Sequence, residues 1–164
     1  MKIPDISQIK PQLLAFLHDH QIMAISTFYK EPWIASVYYA VDDKLDFYFV
    51  STPGRTHSKQ ILQQPQVACA IYDSEQTPLK QEQFTKTGVQ FSGEAHLLKD
   101  PVEVKYGLDI WEKVLKISDS TYFSVEKILG GQIAENVWKV TPEKLKFFNE
   151  EFFDENEVPL FLLK

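Results

Sequence analysis

Residues 33–52, WIASVYYAVDDKLDFYFVST, show a two-residue side-chain pattern that predicts two β-strands joined by a tight turn. Trp33, Ala35, Val37, Tyr39 and Val41 share one face of the first strand, and the residues between them share the other, because side chains alternate along a strand. The polar turn at 42–44 leads into a second apolar strand at 45–50. This hairpin indicates a fold built mainly from antiparallel strands.

The rest of the chain adds four strands and four helices to the hairpin. Strands are predicted at 21–28, 67–72 and 86–98, a last strand or hairpin pair at 136–149, helices at 5–20, 56–64, 100–116 and 120–129, and a polar loop at 73–85. The first strand of the hairpin spans 32–41 in this assignment. Long helices do not alternate with the strands, which argues against a doubly wound parallel sheet. We therefore expect a single, mainly β domain over residues 1–164, in which six antiparallel strands close into a barrel with peripheral helices.

The stretch 51–59, STPGRTHSK, lies where a predicted strand passes into a predicted helix. The free N–H groups of a first helical turn and the positive end of the helix dipole attract anions. Hydroxyl and basic side chains crowd this junction, namely Ser51, Thr52, Arg55, Thr56, His57, Ser58 and Lys59. The junction predicts a site for the phosphate of a phosphorylated cofactor. The alternative is a solvated helix start with ordinary polar residues.

Composition and charge argue against several kinds of partner. The net charge of −6 disfavours nucleic acid and anionic membranes, although a local basic cluster can still hold a small anion.

The N-terminus lacks the apolar core of a signal peptide, and no apolar run approaches the ~20 residues of a membrane span. The single cysteine, Cys69, allows no intrachain disulfide and suits a buried, inert thiol. We expect a cytoplasmic protein without a metal site.

Four segments, in order, resemble the pyridoxamine-phosphate-oxidase-like, FMN-binding split-barrel superfamily. They are the hairpin at 33–52, HSKQILQQPQVACAIY at 57–72, GVQFSGEAHLL at 88–98 and VWKVTPEKLKFF at 137–148. More narrowly, the chain resembles a small bacterial branch of that superfamily, over roughly residues 10–149. The resemblance implies a six-stranded split barrel of the Greek-key type that pairs as a homodimer, with FMN in the cleft between the subunits.

The resemblance also implies which residues bind the cofactor. They are Ser36, Val37, Ser51, Thr52, Ser58, Lys59, Gln90 and Trp138. His57 matches no fixed family position and is added as a cofactor-binding candidate because it lies in the basic junction. Those from 51 to 59 would hold the phosphate, the pair at 36–37 would face the flavin ring, and Gln90 and Trp138 would approach the flavin from the partner subunit. The alternative for Gln90 is simple solvent exposure, and the alternative for Trp138 is core packing. No catalytic residue follows from the sequence.

The chain departs from the oxidase pattern in three places. Residues 34–39 include no Arg or Lys where the oxidases have a basic phosphate ligand. Gly88 and Gln90 occupy the places of a Gln and an Arg. The C-terminal NEEFFDENEVPLFLLK, residues 149–164, lacks the Arg-x-His substrate signature. Vitamin B6 oxidase activity is therefore not expected, and the hypothesis for an enzyme is a flavin-dependent oxidoreductase with an unknown substrate.

Three alternatives to FMN stay open. A split barrel can hold haem, for which His57 or His96 would be the axial ligand. It can hold a deazaflavin, which presents a phosphate to the same kind of pocket. It can also lack any cofactor and act as an interaction protein.

Overall fold

The computed structural model of the protein describes residues 5–73, 87–117, 121–150, 152–153 and 158–163. The helices are α1 (Ile6–Asp19), α2 (Thr56–Gln63), α3 (Pro101–Leu115) and α4 (Val125–Leu129). The strands are β1 (Ile22–Tyr29), β2 (Glu31–Val41), β3 (Phe47–Ser51), β4 (Gln66–Tyr72), β5 (Thr87–Leu97), β6 (Asn136–Asn149) and β7 (Phe161–Leu162). Except for Asp73, the loop predicted at 73–85 falls on residues outside those described.

Six of the strands close into a barrel. They lie in the order β3–β2–β1–β4–β5–β6, and β3 pairs with β6 to complete the ring. Every pair is antiparallel, so the predicted fold class is confirmed. The short strand β7 pairs with β6 outside the ring and was not predicted, because two residues carry no periodic signal.

The barrel interior is filled by the inward side chains of all six strands. Val37 and Tyr39 of β2 point inward and are buried, which confirms the alternation predicted for this strand. Phe47 and Phe91 stack with their ring centroids 4.4 Å apart. Helix α1 packs against this core, and the Tyr39 hydroxyl donates to the backbone carbonyl of Leu17 over 2.8 Å.

A second apolar cluster lies between the barrel and helices α3 and α4. Leu108 and Trp111 of α3 pack there against Ala40 and Tyr48 of the barrel. The Trp111 indole donates to the backbone carbonyl of Tyr38 over 3.1 Å. This cluster buries the outer side of β2 and β3 only near the hairpin turn, so it leaves the other half of β2 uncovered.

Helix α4 is shorter than predicted. It begins at Val125 rather than at 120 because the Ser124 side chain accepts a hydrogen bond from Lys127 N and caps the helix. Helix α3, from Pro101 to Leu115, matches its prediction to within one residue at each end. The proline stands at its first turn, where a missing N–H costs little.

Outward side chains of β2, β1, β4 and β5 form a surface that we call the open face. Its members are Ile22, Ala24, Ile34, Ser36, Tyr38, Ala70, Tyr72 and Gln90. The register places Ser36, Ala24, Ala70 and Gln90 side by side across the four strands. The floor of this surface is made of small side chains, while large apolar side chains stand exposed at its borders.

Candidate cofactor site

The candidate site begins where β3 ends and α2 starts. Residues 53–54 turn the chain, and Arg55 N donates to the Thr52 carbonyl over 3.2 Å. Arg55 occupies the N-cap position of α2, and its side chain makes no capping hydrogen bond. The first N–H groups of an α-helix have no intrahelical acceptor. This helix start therefore offers backbone donors to an anion.

A buried hydrogen-bond network lies directly beneath the helix start. His57 Nε2 and Ser51 Oγ are 2.8 Å apart, and Ser58 Oγ donates to Ser51 Oγ over 3.4 Å. His57 is only 7% exposed and Ser58 is fully buried. Burial, and secondarily the charge of Arg55, lowers the pKa of His57 below its ordinary value of 6.5. The imidazole is therefore predominantly neutral at pH 7.

The predicted phosphate-binding residues thus fall into two groups. His57 and Ser58 face inward and are engaged in the network, so they support the junction from below. Lys59 and Arg55 are exposed, and Thr52 is half-buried. No ion pair to either basic side chain occurs within the described ranges. Two cations, a hydroxyl and uncapped N–H groups are a donor set that fits a phosphate.

The sequence contained a signal for the buried face of α2, but the polar side chains on that face made the signal hard to recognise. His57, Gln60 and Ile61 are spaced as one helix face, and all three are buried. Gln60 Oε1 accepts from the Thr27 hydroxyl over 2.6 Å, and Gln60 Nε2 donates to the Glu31 carbonyl over 3.2 Å. The inward face of α2 is therefore polar and hydrogen-bonded, which holds its outward N-terminus in place.

Trp138 lies inside the barrel. It is fully buried, and its ring stacks with Phe49 at a centroid distance of 6.1 Å. Its indole N–H donates to the backbone carbonyl of Ser51 over 3.0 Å. This is the core placement that the sequence left as the alternative. The indole has no exposed surface with which to touch a ligand. Trp138 contributes to the candidate site only by holding the backbone of Ser51 through this hydrogen bond.

Ser36 and Val37 are consecutive residues of β2, so their side chains point in opposite directions. Tyr39 pairs with Phe49, and continuing this register places Val37 beside Ser51. The Val37 side chain is buried in the barrel core, whereas Ser36 is exposed on the open face. Only Ser36 can present its side chain to a ligand lying on that face.

Gln90 is not brought to the same place within one chain. It is exposed on β5, three strands away from Ser36, which corresponds to about 14 Å at the usual strand spacing. His96 lies farther along β5, with Nε2 3.3 Å from a carboxylate oxygen of Glu94.

Other chemistry is scarce in the described ranges. Cys69 is buried, and burial raises the pKa of its thiol well above the usual range, as expected for an inert side chain. The described residues include no group of three His, Cys, Asp or Glu that could hold a metal ion. They also include no helix long and apolar enough to cross a lipid bilayer.

Two cavities lie on the outer surface of the sheet. One, of about 370 Å³, lies over the small residues of β1 and β4 and is bordered by Gln90, Lys144 and Lys146. The other, of about 300 Å³, lies beside Ser36 and is bordered by Tyr38 and Tyr72. The sequence did not predict either cavity, because each is assembled from strands that are distant along the chain.

The closed barrel of six antiparallel strands with peripheral helices defines a split-barrel protein. The chain belongs to the pyridoxamine 5'-phosphate oxidase family, whose model matches residues 9–149. No protein with a curated description matches the sequence.

Solved structures share the fold at low sequence identity. A candidate pyridoxamine 5'-phosphate oxidase from Listeria innocua superposes with a TM-score of 0.64 at 20% identity, covering 86% of this chain and 98% of its own. A haem-binding protein from Mycobacterium smegmatis gives a TM-score of 0.69 at 13% identity, covering 99% of this chain and 60% of its own. A NimC/NimA family protein from Clostridium acetobutylicum gives 0.63 at 17% identity, covering 94% and 93%. At these identities the likeness concerns the fold alone.

Proposed function

We propose that this protein is a homodimeric flavoprotein that binds FMN at the N-terminus of α2 and acts as a flavin-dependent oxidoreductase. The observation that carries the proposal is the uncapped first turn of α2, flanked by the exposed side chains of Arg55 and Lys59. Family membership supports the same cofactor. A single buried cysteine and the absence of a spanning helix in the described ranges agree with a cytoplasmic location, which is part of the proposal.

The phosphate would be held by charge and by backbone donors. Lys59 and Arg55 supply positive charge, the first turn of α2 supplies N–H groups, and Thr52 supplies a hydroxyl. The second-strand basic residue of the oxidases is absent, so this chain relies on α2 for its cations. The network of His57, Ser51 and Ser58 holds the turn rigid beneath the phosphate.

The flavin ring would extend from the helix start across the open face, past Ser36. When bound, FMN supplies the electron-transfer chemistry, and the protein supplies position and polarity. The Ser36 hydroxyl would hydrogen-bond a polar edge of the ring. Gln90 would reach the ring from the second subunit, because it is too distant within one chain.

Dimerisation through the open face would complete this site. Ile22, Ile34, Tyr38 and Tyr72 are each more than half exposed, and contiguous exposed apolar side chains usually mark an interface. The small side chains of Ala24 and Ala70 let a second subunit approach closely. An isologous dimer would place two equivalent flavin sites across one two-fold axis.

The test is the visible absorbance spectrum of the purified protein, recorded before and after FMN is added and the excess removed. A flavin spectrum that stays with the protein is the expected result. A protein that returns colourless from dialysis against FMN would overturn the proposal. Substrate screening follows only from the first outcome.

Haem is the second candidate, and the structural likeness to the haem-binding protein of Mycobacterium smegmatis is the observation in its favour. Of its two ligand candidates, His57 is buried with Nε2 engaged by Ser51. His96 is exposed and is the one available to an iron atom. A haem absorption band, abolished by His96→Ala, would favour this function over FMN.

A further inference from the structure

We infer that the cavity beside Ser36 is a binding slot for a planar aromatic cation. We call it the Tyr38–Tyr72 slot. It has a volume of about 300 Å³ and is lined by Asp19, His20, Gln21, Ile22, Ala24, Ser36, Tyr38 and Tyr72. The phosphate site at the start of α2 does not include this cavity, but the cavity lies on the open face. In the proposed dimer a ligand in the slot would therefore lie at the subunit interface.

The two tyrosines form opposite walls of the slot. Tyr38 pairs with Ile22. The β1–β4 register ends at Ala24 and Ala70, and continuing it by two residues places Tyr72 on the other side of Ile22, in agreement with the lining of the cavity. Two strand spacings separate the tyrosines by about 10 Å. Both rings are largely exposed, at 57% and 70%. A flat ring lying over Ile22 would therefore meet an aromatic wall on each side.

The charge around the slot favours a cation. Asp19 lines it, and the described lining includes no Lys or Arg. The cavity also lies at the C-terminal end of α1, where the helix dipole is negative. Asp73 Oδ1 is 3.8 Å from His20 Nε2, so a positive charge on His20 would be offset by a carboxylate. Aromatic rings and carboxylates together select a cationic ring.

His20 has a fixed orientation in this wall. Its Nδ1 is 2.7 Å from the Phe16 backbone carbonyl, so this nitrogen carries a proton and donates it. The imidazole also stacks on the Phe16 ring, with centroids 4.1 Å apart. The wall is therefore preorganised, which lowers the entropic cost of binding.

The slot adjoins Ser36, the residue proposed to contact the flavin ring. If FMN binds as proposed, the slot is the substrate side of the same site, and the substrate class is a planar aromatic cation. This last step rests on the proposed function, whereas binding of the cation itself does not.

The test compares two probes of the same shape and opposite charge, N-methylquinolinium and 1-naphthoate. Calorimetric titrations use the flavin-free full-length protein. We expect N-methylquinolinium to bind at least about tenfold more tightly than 1-naphthoate. Tyr72→Ala should weaken N-methylquinolinium by about tenfold, and Asp19→Asn should reduce the preference for the cation. Tyr29→Ala, which removes an exposed tyrosine outside the slot, is the matched control and should leave the affinity unchanged.

Equal affinity for the two probes, or an unchanged affinity in Tyr72→Ala, would overturn the inference. FMN binding is measured separately on the same preparations. Discrimination between the probes by a protein that refuses FMN would leave the slot intact and remove the flavin proposal. FMN binding without discrimination would do the reverse.

Discussion

At the scale of single residues, the candidate cofactor site depends on neighbouring side chains in the first turn of α2 that point in different directions. His57 and Ser58 point inward and hold the turn, while Lys59 points outward with its charge free for a ligand. Neighbouring residues on a helix are separated by about 100° of rotation, so adjacent side chains reach different surroundings. This geometry explains why three residues of similar polarity have different roles.

Lys59→Ala is expected to weaken FMN binding at least about tenfold, because a charge-assisted phosphate contact contributes about 1.5–3 kcal/mol. Equilibrium titration with FMN measures the effect. Lys113→Ala, which removes an exposed lysine from the remote helix α3, is the control and should bind FMN as wild type does. Equal affinities in the two variants would remove Lys59 from the site.

His57 predicts a pH dependence of stability. Its pKa is lowered in the folded protein, mainly by burial, so the unfolded chain binds a proton at higher pH than the folded chain. Stability from the neutral imidazole is therefore complete above about pH 6.5 and declines as the pH falls below that value. Urea unfolding of wild type and His57→Gln should show the wild-type advantage shrinking as the pH falls. A constant difference would contradict this account.

At the scale of elements, the pairing of β5 with β6 brings two backbones unusually close together at Gly93. The β5–β6 register shifts between Ser92 and Gly93, which indicates a bulge. A Cβ atom at Gly93 would collide with the Thr141 carbonyl oxygen and lie 2.8 Å from Pro142 Cα. Because both neighbours are backbone atoms, neither can move without distorting the sheet.

Gly93→Ala is therefore expected to lower the free energy of unfolding by about 2–4 kcal/mol, or to prevent folding. Chemical denaturation measures the change. Gly54→Ala is the matched control, since a Cβ atom there meets nothing within 4 Å, and its stability should stay within about 0.5 kcal/mol of wild type. A Gly93→Ala protein as stable as this control would contradict the steric conflict expected between a Cβ atom at this position and the backbone of Thr141 and Pro142.

At the scale of the whole molecule, the outer surface of the closed barrel has a part covered by helices and a part that we have called the open face. Helices α3 and α4 bury the part near the hairpin turn, and within the described residues the open face stays uncovered. The small side chains of Ala24 and Ala70 make the centre of the open face flat. Ser36 and Gln90 lie at the two ends of the same row of residues. The proposed dimer would use this surface twice, once for association and once for the flavin.

Sedimentation equilibrium at micromolar concentration should give twice the 19.0 kDa mass of the chain. Ala70→Arg places a charge in the centre of the open face and should weaken the dimer at least about 100-fold, because an unpaired buried charge is costly. FMN affinity should fall with it. Val102→Arg, on the exposed side of α3, is the control and should remain dimeric. A wild-type monomer would contradict both the dimer and the shared site.

Several features were accessible from the sequence because they depend on local patterns. The alternation around Val37 and Tyr39 predicted which side of β2 enters the core, and the junction at 51–59 predicted where α2 begins. The inward placement of Ser58 was missed, because polar residues are ordinarily assigned to the solvent side. Trp138 was ambiguous for a related reason, since a strand aromatic suits a core and a ligand equally well.

The sequence by itself determined the mainly β class, the order of the elements and the position of the helix start, since each follows from periodicity and turn residues within a few neighbouring positions. Only the tertiary structure decided the closure of β3 on β6, the burial of His57 and Ser58, and the Tyr38–Tyr72 slot. The physical reason is that these features join residues from strands far apart in the chain. Their contacts are set by barrel geometry and core packing, which local patterns do not encode.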